Sequence, residues 1–404
     1  MFSFCYNTVW AIGLLILKGL SLFNKNISTF LSEREDAGAA SLCQKKYWIH
    51  CASLGEFEMI VPLLDHLLTL HNADEILVTF FSPSGYKQIK KGKYKSLISY
   101  LPLDTPRKVK AFYKTYNPTY GIFVRYDLWY NFLKKGVENG TELMLINGRF
   151  KPNHFIFNFI GKPYAKLLRQ FSQLFLSDKA SYTTLKSKQY TNCVFTGDTR
   201  YDRVYEIQRI NRQYTDIKQF IDDRKVLLVG SSWQKEESLV LSLLKNKVSN
   251  LAIIIAPHNI SRSDKISEQF TEFNPKLYAD KSFNSSDNML IINNIGMLSQ
   301  LYKYADFALI GGGFYGKLHN ILEPTISGTH ISYGPNIGKY PEAEDFIING
   351  FGYKIEDYND WILQIKELCI NHSRLDQIKK RSKAFATTQI GATKRILDSL
   401  EKKI

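Results

Sequence analysis

The stretch KVLLVGSSWQKEESLVLSLLKNKVSNLAIIIA, residues 225–256, decides the fold class of this chain. Its two ends, Lys225–Gly230 and Leu251–Ala256, are short apolar runs of the kind that form strands buried on both faces. Between them, Lys235–Leu244 has the apolar spacing of an amphipathic helix. A strand, a helix and a strand in so short a span predict two parallel strands joined by a helical crossover.

The same alternation occupies most of the 404 residues. It stops in a polar, charged zone at 208–224 and then restarts, which predicts two doubly wound, Rossmann-like α/β domains. We expect these domains at 25–215 and 216–404, with the last helix a candidate to return to the first domain. Ligands of such sheets bind beyond the carboxyl ends of the strands, here in a cleft between the domains. Further predicted strands are Tyr47–Ala52, Ile76–Phe81, Tyr120–Val124, Leu143–Asn147, Met289–Ile292, Phe307–Ile310 and His330–Tyr333, and further predicted helices are Gly55–Leu70, Pro83–Lys91 and Leu128–Glu138.

The chain is strongly basic, with a net charge of +15 and a pI near 9.3. This charge fits an anionic partner such as an acidic membrane surface or a phosphorylated lipid or sugar, and it equally fits lysines that only solvate the surface. We expect no nucleic-acid partner, because the sequence has no zinc-ligand spacing, RNP-like aromatic strand or dense Lys/Arg block. Five scattered cysteines without a CxxC pair indicate reduced thiols in a cytosolic compartment.

The amino-terminal segment Phe2–Phe23 is almost entirely apolar. It is long enough to cross a hydrocarbon layer of about 30 Å, although Lys18 would have to extend to the interface. Lys25 and Arg34 follow the segment and favour a cytoplasmic location for the remainder, while the lack of positive charge before it disfavours a secretory signal. The sequence therefore predicts a membrane anchor at 1–24, either spanning or interfacial, with a helix of a soluble domain as the alternative.

Ser53-Leu54-Gly55-Glu56 directly follows the first predicted strand. A sharp turn there would start the next helix with free backbone N–H groups, and Glu56 would lie in its first turn. An acid at this position is often only a helix-start residue. The functional interpretation is a general base that takes a proton from an acceptor hydroxyl.

A second segment, Gly311-Gly312-Gly313 followed by His319-Asn320-Ile321-Leu322-Glu323, comes after the predicted strand ending at Ile310. Glycines at a strand end let the backbone approach a phosphate closely. Asn320 and Glu323 are three residues apart and share a helix face, so Glu323 could accept hydrogen bonds from both hydroxyls of a ribose. A glycine-rich loop alone is weak evidence for a phosphate site, whereas three glycines followed by the His-Asn-x-x-Glu pattern are more specific.

Three more strand ends and one turn complete the set of candidate segments. Each strand end by itself is typical of a turn, and their predicted convergence on one cleft is what indicates a site. In the turn, Arg200 either neutralises a donor phosphate or carboxylate or forms a surface ion pair with Asp202. The strand ends are Gly230-Ser231-Ser232-Trp233, Ala256-Pro257-His258 and Ile295-Gly296-Met297, and the turn is Gly197-Asp198-Thr199-Arg200-Tyr201-Asp202.

In their order along the chain these segments resemble the Kdo transferase family of lipopolysaccharide synthesis. The resemblance extends over nearly the whole chain, and the pairing of Ser-x-Gly-Glu with His-Asn-x-Leu-Glu is specific. The matched landmarks are the apolar amino terminus, His50-x-x-Ser53-x-Gly55-Glu56, Asp127-Leu128-Trp129-x-Asn131, Gly197-x-x-Arg200-x-Asp202, Ser231-Ser232, Pro257-His258, Gly311-Gly312 and His319-Asn320-x-Leu322-Glu323.

This resemblance implies a GT-B glycosyltransferase fold and a membrane-anchored enzyme at the cytoplasmic face of the inner membrane of a Gram-negative cell. The implied reaction transfers Kdo from CMP-Kdo to the lipid A precursor lipid IVA, with inversion and without a metal or other cofactor. By the same resemblance Glu56 is the catalytic base, and Arg200 and Asp127 are the other catalytic candidates. The implied nucleotide-binding residues are Ser231, Ser232, Pro257, His258, Ile295, Gly296, Met297, Gly311, Gly312, Gly313, His319, Asn320, Ile321, Leu322 and Glu323.

Three positions depart from the residues usual in that family. Arg125 stands where many members carry an acid, His258 where many have Arg, and Ser232-Trp233 where many have Thr-His. Two other functions stay open on the sequence alone. One is another enzyme of the same fold that uses a UDP-sugar, either a glycosyltransferase or an epimerase. The other is a non-catalytic membrane protein that binds a nucleotide or a lipid.

Overall fold

The computed structural model describes residues 2–34, 43–210 and 212–401. The chain forms two compact units: unit 1 is Met1–Arg203 with Gly391–Ile404, and unit 2 is Val204–Ile390. Each unit contains a seven-stranded parallel sheet in the described part of the chain, with helices between the strands. The predicted fold class, two doubly wound α/β domains, is therefore confirmed. The division at Arg203 precedes the boundary predicted near residue 215.

The elements are numbered in chain order. The strands are β1 (Tyr47–Cys51), β2 (Ile76–Phe80), β3 (Ile98–Tyr100), β4 (Tyr120–Val124), β5 (Glu142–Gly148), β6 (Gln173–Leu176), β7 (Cys193–Phe195), β8 (Lys225–Ser232), β9 (Leu251–Pro257), β10 (Lys276–Leu277), β11 (Met289–Ile291), β12 (Phe307–Ile310), β13 (His330–Tyr333) and β14 (Gly352–Lys354). The α-helices are α1 (Phe2–Ser21), α2 (Lys25–Ser32), α3 (Leu54–Leu70), α4 (Pro83–Ile89), α5 (Pro106–Tyr116), α6 (Tyr130–Glu138), α7 (Lys162–Leu168), α8 (Lys179–Ser187), α9 (Thr199–Arg209), α10 (Thr215–Ile221), α11 (Gln234–Lys245), α12 (Ser263–Gln269), α13 (Leu298–Leu301), α14 (Leu322–Ser327), α15 (Pro341–Ile348), α16 (Tyr358–Ile370), α17 (His372–Gln389) and α18 (Ala392–Glu401).

The sheet of unit 1 has the strand order β3-β2-β1-β4-β5-β6-β7. Every residue of β1, β2 and β4 is buried, which explains why these strands are nearly continuous apolar runs. The order of connection reverses between β1 and β4, so the crossovers from these two strands leave in opposite directions. This reversal opens a crevice at the carboxyl ends of β1 and β4, where doubly wound sheets bind ligands.

The sheet of unit 2 has the order β10-β11-β9-β8-β12-β13-β14. Its corresponding reversal lies between β8 and β12, which pair in register from Phe307 with Leu227 to Ile310 with Gly230. The segments that follow these two strands are therefore the ones that the topology brings to the ligand-binding position. They contain the two glycine-bearing stretches singled out in the sequence.

The last helix, α18, belongs to unit 1. Its Ile396 and Leu400 are buried in the same apolar cluster as residues of α3 and β1. Asp202 accepts hydrogen bonds from the backbone N–H groups of Gly391 and Thr393, at the start of this helix. A carboxylate at that position satisfies N–H groups that have no partner within the helix.

Five strands were not predicted: β3, β6, β7, β10 and β14. They have two to four residues each, too few to show a period in the sequence. The polar zone at 208–224 also contains α10, whose Ile217 and Phe220 are fully buried. Isolated apolar residues within a charged stretch are a weak signal of a helix, and here the surrounding structure buries them.

The amino-terminal helix α1 has the length and hydropathy that membrane crossing requires, and among the described residues it is the one helix that does. It contains 20 residues, which corresponds to about 30 Å. None of its residues is fully buried.

Candidate functional site

Glu56 lies at the carboxyl end of β1, where Ser53 begins α3. The Ser53 hydroxyl accepts a hydrogen bond from the Glu56 N–H at 3.4 Å, and the Glu56 carboxylate accepts one from the Ala52 N–H. These bonds stabilise the turn that the Ser-x-Gly-Glu pattern predicts. Glu56 is half-buried, so a reacting group can still reach its carboxylate. The residue therefore holds the start of the helix and remains available for chemistry.

A chain of side-chain hydrogen bonds links the ends of β1 and β4. The fully buried His50 binds Asp127 through Nε2, at 2.7 Å, and Thr79 through Nδ1, at 3.0 Å. Because the Asp127 carboxylate only accepts, His50 Nε2 carries the hydrogen and its Nδ1 accepts the Thr79 hydroxyl hydrogen when the ring is neutral. The indoles of Trp48 and Trp129 donate to Thr79 and Asp127. Asp127 is thereby held in one orientation near Glu56.

The surroundings of Glu56 raise the pKa of its carboxyl. Burial is the main cause, and the negative charge of Asp127 acts in the same direction. The Ala52 N–H, His50 and Arg125 partly oppose this shift. A carboxylate with a raised pKa holds a captured proton more strongly, which suits a general base. Arg125, one of the three departures singled out in the sequence, thus contributes positive charge to this group.

Arg200 lies in the first turn of α9 and binds Asp198. Its Nε lies 3.0 Å from one Asp198 oxygen and 3.1 Å from the other, and an Nη lies 2.7 Å from Oδ2. Mainly through Arg200, the pKa of the buried Asp198 is lowered to about 2 in spite of the opposing effect of burial. The sequence had offered Asp202 as the ion-pair partner of Arg200; Asp202 instead receives the N–H groups at the start of α18. Asp198 lies two positions before Arg200 and Asp202 two positions after it, so the sequence could not tell which acid pairs with Arg200.

In unit 2, the three glycines after β12 are buried and closely packed. A Cβ on Gly311 would collide with the backbone of Ser231, and one on Gly312 with the backbone of Lys317. Gly312 also has a φ of +84°, a conformation that favours glycine. The Gly312 N–H donates to the buried Glu236 at 2.9 Å. The packing of the protein itself therefore requires glycine here. The sequence had suggested only that these glycines let the backbone approach a phosphate.

The ends of β8, β9 and β12 meet at a cluster of aromatic rings. Trp233 stacks on His258 with ring centroids 5.2 Å apart, and His258 lies 4.5 Å from His319. The Trp233 indole donates to His319 Nε2 at 3.1 Å, so Nδ1 carries the hydrogen of the neutral His319 ring. Burial, with a smaller contribution from His258, lowers the pKa of His319 to about 4 and keeps this ring neutral near pH 7.

Asn320 and Glu323 are hydrogen-bonded, but Asn320 precedes α14, which begins at Leu322, so the two residues do not share a helix face as predicted. The Asn320 amide donates to the Glu323 carboxylate at 3.1 Å, and its oxygen accepts from the Leu322 N–H at 3.0 Å. Burial raises the pKa of Glu323 to about 7. The helix that contains Glu323, α14, has only six residues, and α13 has four. Helices this short have small dipoles, and the Leu322 N–H at the start of α14 is already bound to Asn320, so these two helices contribute little positive potential.

The remaining predicted nucleotide-binding residues differ in their exposure. Ser232 is buried, and its hydroxyl donates to Glu237. Met297 is buried, whereas Ile295 and Gly296 are exposed on the segment before α13. Pro257 ends β9 directly before His258. No group of three or more potential metal ligands occurs among the described residues.

Known proteins match the chain over most of its length. Residues 29–203 match the family described as 3-Deoxy-D-manno-octulosonic-acid transferase (kdotransferase). A 3-deoxy-D-manno-octulosonic acid transferase of Aquifex aeolicus is 25% identical over 334 residues, which are 81% of this chain and 86% of that protein. A bifunctional glycosyltransferase/methyltransferase of Fusobacterium nucleatum is 25% identical over 90% of this chain. The chain spans 58% of that relative's length.

The chain is thus similar to Kdo transferases over most of its length. Among solved structures, the UDP-GlcNAc 2-epimerase of Neisseria meningitidis bound to UDP-GlcNAc is similar, with a TM-score of 0.60 and 14% identity. The likeness covers 88% of this chain and 99% of that chain. At this identity the likeness shows a shared fold.

Two buried acids of unit 2 escaped the sequence analysis. The buried Glu236 accepts hydrogen bonds from the N–H groups of Gly312 and Trp233 and so joins the two glycine-bearing stretches. Its neighbour Glu237 is also buried and binds Ser232 and Arg262. Acids at the start of a helix are common, and nothing in the sequence distinguishes these two from surface residues. Their burial is the signal, and only the fold provides it.

Proposed function

We propose that this chain transfers Kdo from CMP-Kdo to a hydroxyl of the lipid A precursor lipid IVA, with inversion at the anomeric carbon. The observation that carries the proposal is the position of Glu56 in a chain similar to Kdo transferases: a half-buried carboxylate with a raised pKa at the strand reversal of unit 1. In the proposed reaction Glu56 accepts the proton of the attacking hydroxyl. The hydroxyl oxygen forms the bond to the anomeric carbon as the bond from that carbon to the phosphate oxygen breaks and CMP leaves.

Unit 2 is proposed to hold the nucleotide. Glu323 is oriented by Asn320 and, as a carboxylate, can accept both hydroxyls of a ribose. The neutral His319 carries its hydrogen on Nδ1, and His258 stacks beside it. These groups can donate to the nucleotide or pack against it. No step of this proposal requires a metal ion or a cofactor other than the donor substrate.

Arg200 is proposed to stabilise the negative charge that develops on the donor. Its guanidinium is one-fifth exposed and is fixed in orientation by Asp198. A pre-oriented cation stabilises a transition state more than a mobile one, because little reorganisation accompanies the reaction. Asp127, fixed by His50 and Trp129, is proposed to set the charge state of Glu56.

The acceptor is proposed to be bound at the cytoplasmic face of the inner membrane. The net charge of +15 suits a phosphorylated lipid, and α1 is the one helix in the described part of the chain with the hydropathy of a membrane segment. A phosphorylated lipid acceptor in an anionic membrane would account for both features.

The purified chain, incubated with lipid IVA and freshly made CMP-Kdo, is expected to yield a lipid whose mass has increased by one or more Kdo units. Mass spectrometry of the product measures this directly and counts the sugars. In parallel, CMP is expected to raise Tm more than UDP at equal concentration. Stabilisation by UDP alone, with no Kdo-bearing lipid formed, would instead identify a UDP-sugar enzyme. Nucleotide binding without any product would indicate a binding protein.

Binding of CMP is expected to depend on pH through Glu323. In the free protein its pKa is about 7, and the ribose hydroxyls require the carboxylate form. Affinity should therefore rise about tenfold from pH 6 to pH 8, and binding near pH 7 should release protons. Titration calorimetry in buffers of different ionisation enthalpy measures both effects.

The control for this prediction is Glu323→Gln, which keeps the shape of the side chain. This variant should bind CMP more weakly and should keep only the pH dependence that arises from the CMP phosphate. If the wild type and the variant show the same dependence, Glu323 does not bind the ribose.

A further inference from the structure

One face of α1 is covered along its whole length. Positions of intermediate exposure recur with the period of a helix, and the positions between them are exposed. The exposed face carries a series of large apolar residues that no part of the described chain covers. The covered positions are 2, 3, 6, 7, 10, 13, 14, 17 and 21, and the exposed apolar residues are Phe4, Val9, Ile12, Leu15, Ile16 and Leu20.

The covered face is bonded to unit 1 by specific contacts. The Tyr6 hydroxyl donates to the buried Asp104 at 2.7 Å, and the Asn7 oxygen accepts from Asn131 at 2.8 Å. Phe2 packs edge-on against Tyr130 at 4.9 Å. Asp104 also receives the N–H groups that begin α6, so withdrawing Tyr6 would leave a buried carboxylate with fewer donors.

These contacts limit how α1 can enter a membrane. A helix that crosses a bilayer needs about 20 residues surrounded by lipid. In α1 the first three turns are bound to the protein as far as Trp10, which packs on Trp129 at 5.7 Å. The residues beyond them, 11–21, extend only about 16 Å, half of the hydrocarbon thickness. While α1 is bound as observed, it can therefore lie in one leaflet but cannot span two.

A basic groove adjoins α1 on the side of the protein. It has a volume of about 380 Å³ and lies between α1, α5 and α6. Lys110, Lys134 and Lys135 line it, together with Ser3 and Asn7 of α1. Glu138 is the acid in its lining, and it lies 3.6 Å from Lys135 and 3.8 Å from Lys134. Positive charge beside an apolar helix is the arrangement that binds anionic lipid headgroups.

A second apolar element lies near the amino-terminal end of α1. Phe159 and Ile160 are strongly exposed in the loop before α7. Tyr164 packs on both Phe155 of this loop, at 5.5 Å, and Phe2 of α1, at 5.9 Å. The exposed face of α1 and this loop are thus two neighbouring apolar parts of unit 1.

We propose that α1 lies flat in one leaflet of an anionic membrane, with its exposed face among the acyl chains and with the groove of Lys110, Lys134 and Lys135 holding a phosphate-bearing lipid headgroup. This inference rests on the membrane association in the proposed function and specifies its form. Trp129, which contacts α1 through Trp10, also donates to Asp127, so the membrane-bound helix adjoins the acid beside Glu56.

The depth of labels along the exposed face tests the orientation. Four single-label proteins are made, all with Cys43→Ser and Cys369→Ser. In the first, a bimane label is attached to Cys5. In the other three, Cys5→Ser is added and the label is attached to the cysteine introduced by Val9→Cys, Ile12→Cys or Ile16→Cys. Cys51 and Cys193 are buried. The full chain is bound to phosphatidylglycerol vesicles containing lipids brominated at shallow or deep positions. A flat helix predicts the same shallow depth for all four labels.

A depth that passes through the bilayer centre near residue 12 would show that α1 spans the membrane and would overturn the proposal. The proposal would also be overturned if no lipid quenched the labels and the same cysteines, left unlabelled, formed disulfides between copies of the chain under oxidising conditions, since a second copy would then cover this face. Neither result depends on turnover, so failure here is distinguishable from failure of the proposed reaction.

The groove is tested by Lys110→Gln, Lys134→Gln and Lys135→Gln combined. Binding to phosphatidylglycerol vesicles should become roughly 10- to 100-fold weaker, and binding to phosphatidylcholine vesicles should not change. The matched control replaces three exposed lysines of unit 2 by glutamine: Lys245, Lys265 and Lys380. Equal losses in the two triple variants would show that only net charge matters and would refute the groove.

Discussion

Glu56→Gln is expected to lower kcat for Kdo transfer by about 10²- to 10⁴-fold, the range that a general base contributes. The amide oxygen of glutamine can still accept the hydrogen bond from Ala52 that Glu56 accepts, so the turn before α3 should survive. The amide cannot take a proton from the acceptor hydroxyl. Affinity for CMP, measured by calorimetry, should stay within about twofold of the wild type, since Glu56 lies in unit 1 and the proposed nucleotide contacts lie in unit 2.

The matched control is Glu58→Gln in the same helix. Glu58 is a carboxylate that binds Arg203 at 3.1 Å, so this variant removes one negative charge from α3 without touching Glu56. Its kcat should be close to that of the wild type. Glu56→Ala is less informative, because it also removes the acceptor for Ala52. If Glu56→Gln retains full turnover, Glu56 is not the base.

The pH dependence of kcat tests the role of Glu56 independently. Burial and Asp127 raise the pKa of Glu56, so kcat should fall as pH drops through a value above the usual carboxyl range. Asp127→Asn removes one of the two causes and should move this acidic limb to lower pH. A purely structural role of Asp127 would lower kcat at all pH values alike.

Arg200→Gln is expected to lower kcat by about 10²- to 10³-fold, as loss of one oriented donor to a developing anion does in other enzymes. The change removes the positive charge proposed to stabilise the leaving CMP. It also removes the cation that lowers the pKa of Asp198 to about 2. The buried Asp198 would then lose its directly bonded cation and keep only the weaker effect of Arg125, and stability should fall by about 3 kcal/mol.

The double variant Arg200→Gln with Asp198→Asn separates these two effects. It replaces the ion pair by two neutral amides, so Tm should recover most of the loss while kcat stays low. Thermal unfolding and steady-state kinetics on the same preparations measure both quantities. Recovery of kcat together with Tm would mean that Arg200 acts only by stabilising its turn, and it would remove Arg200 from the catalytic set.

The fold class could be predicted from the sequence because the central strands are buried on both faces. β1, β4, β8 and β9 are apolar runs with helices between them, the alternation typical of a parallel sheet covered on both faces. The short edge strands β10 and β14 have two and three residues and carry no period. Their pairing depends on the strands beside them, which is a tertiary effect.

The amino-acid sequence by itself determined the fold class and the local geometry around two candidate functional carboxylates. Glu56 follows Ser53 and Glu323 follows Asn320 at spacings that local backbone geometry turns into a capped turn and a shared hydrogen bond. Such short-range relations depend on few residues and survive in any fold that keeps the local structure. These relations could therefore be recognised from the sequence alone.

Only the tertiary structure decided what surrounds these groups. The bond between His50 and Asp127 and the docking of one face of α1 arise between segments that are distant along the chain. The burial of Glu236, and of Asp198 beside Arg200, arises from the removal of water. Burial sets the protonation of a carboxylate, and contacts along α1 limit the lipid that can surround it. Both are properties of packing, and no spacing along the chain encodes them.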